Sequence, residues 1–89
     1  MDYKSFFIEQ LRMLLNEDLS RSDVANRIAI MIPIDTIYGD DEELMKNCEW
    51  GLRHVNEPDF YTTKGELEYY LSCLMEEREY SNEDRDKSA

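Results

Sequence analysis

The amino-acid sequence predicts an all-α protein, a compact antiparallel four-helix bundle with short loops and a disordered C-terminal tail. Three observations carry that expectation. Apolar residues recur at spacings of three and four in four separate stretches. Capping residues stand just ahead of each stretch. The 89 residues include only three Gly and two Pro beside 42% hydrophobic content, a balance that favours helix over a turn-rich β architecture. A chain this short holds one modest core, so residues 1–79 are expected to form a single domain and 80–89 a flexible acidic tail.

The first helix is predicted over 3–16. Tyr3, Phe7, Leu11 and Leu14 make its apolar face, Phe6, Ile8 and Leu15 widen it, and Asp2 is placed as its N-cap. The second is predicted over 21–32. Ser20 with Asp23 resembles a capping box, and Val24, Ala25, Ile28, Ala29 and Ile32 share one stripe. Pro33 stops it, because the residue before proline is pushed out of helical backbone. Its nearly continuous apolar character makes it the expected most buried helix. Ile34, Ile37 and Tyr38 then give the following loop enough apolar weight to be pinned against the core.

The third helix is predicted over 41–56. Asp40 and Glu43 have capping-box spacing, and Asp41 and Glu42 fall in a first turn where the helix dipole favours anions. Leu44, Cys48, Leu52 and Val55 form its buried stripe, and Glu57-Pro58 closes it. The fourth is predicted over 64–78 behind the box Thr63-x-x-Glu66, with Leu67, Tyr70, Leu71, Leu74 and Met75 facing inward. From Tyr80 onward no apolar residue recurs, hence the expected disorder.

Charge is the outlier in composition. Twenty-one acids against ten bases give a net charge of −11. Residues 1–34 contribute five acids and four bases, and residues 35–89 contribute sixteen and six. Such a surface repels nucleic acid and anionic membrane and speeds encounter with a basic protein. It is also what solubility alone would select. Met1-Asp2-Tyr3-Lys4 does not open a signal peptide and no apolar run is long enough to span a bilayer, so cytoplasm and reduced cysteines are expected.

No enzymatic constellation stands out, and no catalytic residue, cofactor or metal site is assigned. His54 is the only histidine, no glycine-rich phosphate loop or nucleophile elbow occurs, and Cys48 and Cys73 read as small hydrophobes. Glu76 and Glu77 beside Cys73 would raise a thiol pKa rather than activate it. Trp50 lies roughly 60–100° off the buried stripe at 100° per residue, either flanking the core or open to a partner. Outward carboxylates interleaved with aromatic rings suit a basic protein groove. The expected partner-binding set is therefore Asp35, Tyr38, Asp40, Asp41, Glu42, Glu43, Glu49, Trp50, Glu57, Asp59, Phe60 and Tyr61, with Glu66, Glu68 and Tyr69 adjoining.

Between about Leu14 and Leu74 the chain resembles bacterial toxin-immunity proteins, in particular the colicin D immunity type. The resemblance runs through Leu14-Leu15 to Leu19-Ser20, VANRIAIMI, DDEELMKNCEWGLRHVNEPD with its Asn47-Cys48 and Glu57-Pro58-Asp59, and a last helix with Leu67, Leu71 and Leu74. It implies a cytosolic inhibitor whose third helix and flanking loops cover the positive site of a tRNA-cleaving nuclease toxin with carboxylates. Two other readings stand beside it: a nucleic-acid mimic that occupies a DNA-binding protein or defence nuclease, and a helical regulatory or scaffold protein. A monomer or weak dimer is expected, with no direct contact to nucleic acid or membrane.

Overall fold

Three of the four expected helix starts are capped as their residues dictate. Asp2 Oδ1 accepts from the Ser5 amide at 3.1 Å. Ser20 and Asp23 form a reciprocal box, as do Thr63 and Glu66. The computed structural model describes residues 1–89 and contains only helices: α1 Tyr3–Leu15, α2 Arg21–Met31, α3 Glu42–Arg53, α4 Lys64–Leu74 and α5 Asn82–Lys87, with a 3-10 turn at Pro58–Phe60. Helix α1 packs chiefly on α4, and α2 on α3. One core joins them, with Phe7, Leu11, Val24, Ile28, Ile32, Leu52 and Val55 essentially without solvent contact. No helix is long and apolar enough to cross a membrane.

Helix α3 ends at Arg53, short of the expected 56, where His54 leaves helical backbone; it buries Leu44, Cys48 and Leu52 as its spacing predicts, with Met45 beside them and Val55 buried in the turn that follows. It lies close to α4 because Gly51 has no side chain: a Cβ there would meet Tyr70 Cε2 at 3.2 Å. The buried Thr62 hydroxyl donates to the Gly51 carbonyl at 2.8 Å and fastens the inter-helix loop to that spot.

Helix α2 departs from expectation. It buries only Val24 and Ile28 within its length, and Ile30 is 81% exposed. An apolar run cannot turn every side inward unless it is surrounded, and α2 packs mainly on one neighbour. The loop after it is likewise only partly pinned. Tyr38 packs edge-on against Tyr3 and Phe7, while Ile34 and Ile37 stand in solvent.

Two further helix ends arrive early, and these share one reason. At the end of α1, Glu17 takes a left-handed φ of 62°, the Asp18 amide reaches the Met13 carbonyl and the Glu17 amide reaches Leu14. At the end of α4, Glu76 takes φ 63°, with matching bonds from Glu77 to Ser72 and from Glu76 to Cys73. Both are Schellman motifs built on glutamate instead of glycine. Helix α4 therefore stops at Leu74 rather than at 78, Met75 is exposed, and Tyr69 and Cys73 join Leu67, Tyr70 and Leu74 in the core.

Residues 80–89 are ordered, against the expectation of a disordered tail. Ser81 caps α5 by accepting from the Asp84 amide, and the Tyr69 hydroxyl accepts from the Ser81 amide while donating to the Glu79 carbonyl. The Tyr80 ring stacks on Tyr70 at 6.1 Å, and Arg85 Nη1 donates to Asn47 Oδ1 at 3.0 Å. Gly65 lets the tail come in, since a Cβ there would collide with the Ser88 carbonyl.

Candidate protein-binding faces

The acidic run before α3 divides differently from its sequence pattern. Asp40 and Glu43 form no capping box; both are exposed. The N-cap is Asp41, held at φ 55° and ψ 36° with no side-chain cap bond. Glu42 instead folds back on the preceding loop, where its Oε2 accepts from the Tyr38 amide at 2.7 Å and the Gly39 amide at 3.1 Å. The left-handed residue at the helix start turns Glu42 back over the loop, so its carboxylate secures loop amides and the helix start itself has no side-chain cap.

Glu49 is also spent internally. It is 6% exposed, accepts the Tyr38 hydroxyl on Oε1 and pairs with Arg53 on Oε2 at 3.1 Å. Burial, then the bond to Glu49, pushes the Tyr38 phenol well above its ordinary range. Arg53 in turn donates to the Ile32 carbonyl at 3.0 Å, locking the end of α2 to the end of α3. Tyr38, Glu42 and Glu49, three residues of the expected binding set, are thus structural.

The acids left free, Asp41 and Glu43, are joined by others through the turn at Glu76. The left-handed turn brings Glu76, Glu77 and Glu79 opposite Asp41, Glu42 and Glu43 across a groove of about 680 Å³, with Arg78 its one basic residue. Buried Leu44 and Cys73 complete its lining with Tyr80. Burial raises the Cys73 thiol, so it is a poor nucleophile. A second hollow of about 450 Å³ adjoins it through Asp41 and Glu76 and adds Asp2, Asp40 and Lys4. Lys4 Nζ sits 3.6 Å from Glu76, an exposed and weak pair. Three segments far apart in sequence therefore present one acidic side. Glu76, Glu77 and Glu79 were missed because an uninterrupted helix to residue 78 would have spread them around its circumference.

The other end of α3 is aromatic. Trp50 is 49% exposed, which resolves its position as open, and meets Phe60 edge-on at 5.3 Å. His54 lies 4.5 Å from the indole. Its Nδ1 stands 3.0 Å from Glu57 Oε1, near enough for an ion pair with a protonated ring but not angled for a hydrogen bond. At 100° per residue, Glu43, Asn47, Trp50 and His54 form one stripe along α3, linking the acidic end to the aromatic end. Asp35 and Asp59 are exposed and unpaired, whereas Tyr61 belongs elsewhere: it carries the Arg21 guanidinium at 3.9 Å and lines a separate groove with Leu15 and Leu19. Of the adjoining residues, Glu66 caps α4 and Tyr69 is buried.

No three His, Cys, Asp or Glu side chains are placed to share a metal ion. No protein-family model, curated protein or solved structure matches the chain.

Proposed function

We propose that this protein is a stoichiometric inhibitor of the immunity type, which binds a basic nuclease toxin and blocks its substrate site with carboxylates. The observation that carries this reading is the acidic groove, where six carboxylates from the start of α3 and the end of α4 face one Arg78. Nucleases that cleave RNA or DNA hold phosphates with Lys and Arg, and the carboxylates of Asp41, Glu43, Glu77 and Glu79, which have no side-chain partner in the chain, offer those side chains charge-assisted hydrogen bonds in place of phosphate oxygens. Trp50 and Phe60 supply the half-exposed aromatic area that interfaces use as anchors. In this reading the four longer helices are an antiparallel bundle that holds the groove rigid, and the protein acts in the cytoplasm. A nucleic-acid mimic directed at a DNA-binding protein draws on the same groove and differs only in its target.

Co-expression with basic nuclease toxin domains, each cloned as a candidate partner, is the direct test. Wild-type protein is expected to restore growth. A variant carrying Asp41→Lys, Glu43→Lys, Glu76→Lys and Glu77→Lys is expected to lose protection while keeping its helical circular dichroism. Full protection by that variant sinks the carboxylate mechanism. The association rate should also fall steeply with added salt, and a flat dependence would remove the electrostatic argument.

A further inference from the structure

We infer that the groove between the end of α1 and the starts of α2 and α4 binds a medium-chain fatty acid, its carboxylate on Arg21 and Lys64 and its alkyl chain on leucine. The groove holds about 540 Å³, within the range of small-molecule sites, and shares no residue with the acidic groove. Leu14, Leu15, Leu19 and Leu67 supply its aliphatic wall. The first three are only half-buried, so an alkyl chain laid on them removes apolar surface from water.

Arg21 is the fixed point of the groove. Its Nη1 donates to the Val55 carbonyl at 2.8 Å and to the Thr62 carbonyl at 2.6 Å, and its guanidinium lies over the Tyr61 ring, 3.9 Å from the centroid. Three contacts hold the group in place, while its Nε and Nη2 donors have no partner within the chain. That edge of a guanidinium matches the two oxygens of a carboxylate. Holding it beforehand cuts the ordering cost that an arginine pays on binding. Lys64 lines the same groove, is exposed and has no ionic partner. Arg21 and Lys64 are also the first residues of α2 and α4, so the positive ends of two helices add to their charge. The end of α1 brings the opposite pole, but its Met13 and Leu14 carbonyls are already bonded to the amides of Glu17, Asp18 and Leu19.

Charge selects the head group. The groove sets two bases, Arg21 and Lys64, against one acid, Glu17, which pairs with neither, so it is net positive by one in a chain of −11. A single carboxylate fits that balance. A phosphate dianion or a nucleic acid meets Glu17 and the acidic surface around it and is repelled. The lining selects the tail. Tyr61, the one aromatic ring of the groove, is already covered by Arg21, and the leucines that remain present an aliphatic surface.

Titration of the full chain with decanoate below its micelle concentration, followed by the NMR shifts of the backbone amides, tests the site. Saturable one-to-one binding is expected, with the largest shifts over residues 14–21 and 61–67. Lys64→Glu should weaken binding about tenfold with unchanged helicity, since the lysine is exposed and unpaired. Lys64→Arg should retain binding. Decanol, with the same chain and no charge, should bind about tenfold more weakly than decanoate. Shifts that do not saturate or that centre on another face overturn the proposal, as do equal binding of decanol and undiminished binding by Lys64→Glu. A peptide ending in two leucines with a free carboxylate that binds more tightly than decanoate also overturns it, by assigning the groove to the end of a protein chain. The site does not rest on the inhibitory reading, since decanoate binding is read without any toxin.

Discussion

The Tyr38 hydroxyl donates to Glu49 across the entrance of α3, and Arg53 holds the other oxygen of the same carboxylate. That pair separates two kinds of acid that look alike in sequence. Glu49 closes a network running from the loop before α3 through Arg53 to the Ile32 carbonyl. Glu43, six residues earlier, is exposed and bonds to nothing through its side chain.

The first prediction follows from this division. Glu49→Ala should lower unfolding stability by about 1–3 kcal/mol, because it strands a partly buried phenol and a partly buried guanidinium. Its effect on partner association should be small. Glu43→Ala should do the reverse, leaving stability within about 0.5 kcal/mol of wild type and slowing association. Urea titration alongside association rates measures both. Equal stability losses in the two variants contradict the assignment.

The second prediction concerns the left-handed turn that builds the groove. Glu17 and Glu76 hold φ near 62° and 63°, where an L side chain is strained and glycine is not. Glu17→Gly and Glu76→Gly should each stabilise the fold by about 0.5–1 kcal/mol, the relief of strain exceeding the extra freedom glycine gives the unfolded chain. The pair Lys4–Glu76 lost in the second variant is exposed and offsets little of this. Only Glu76→Gly also removes a groove carboxylate, so it should gain thermal stability while losing association rate. A drop in melting temperature for both variants would contradict the strain assigned to these turns.

The same turns explain what the sequence did and did not reveal. The α3 stripe and the boxes at Ser20 and Thr63 were legible because each rests on local spacing. The end of α4 was not, because Glu76 occupies a position that glycine usually signals. The tail was hidden for a related reason. It is held by the Ser81 cap, the Tyr69 hydroxyl, the Tyr70–Tyr80 stack and the Arg85–Asn47 bond, and such polar and aromatic contacts leave no apolar periodicity. In the candidate site, Asp40-x-x-Glu43 had correct cap spacing, but the helix starts one residue later behind a left-handed Asp41, and its start has no side-chain cap. The exposure of Ile30, Ile34 and Ile37 has no sequence signature at all, since it depends on how many neighbours α2 has.

The third prediction is a loss of stability in alkali. Burial raises the Cys48 thiol from its ordinary 9.0, and burial with the bond to Glu49 raises the Tyr38 phenol from its ordinary 10.0. Burial raises Tyr70 in the same direction. All three stay protonated in the folded chain where the unfolded chain has begun to lose its protons. The unfolded state then binds fewer protons, so unfolding free energy declines with pH. This stability is fully present below about pH 9 and is lost as pH rises from there toward the folded values. For the fully buried Cys48 the limiting slope is about 1.4 kcal/mol per pH unit; Tyr38 is only partly buried and solvent screening reduces its share. Melting temperature measured from neutral pH into alkali should fall with a first break set by the buried thiols, Cys48 chiefly and Cys73 beside it, and a second by the tyrosines. Cys48→Ala should shallow the first break and Tyr38→Phe the second, whatever each does to stability at neutral pH. Curves that merely shift downward in parallel would show that these groups do not control the alkaline limb.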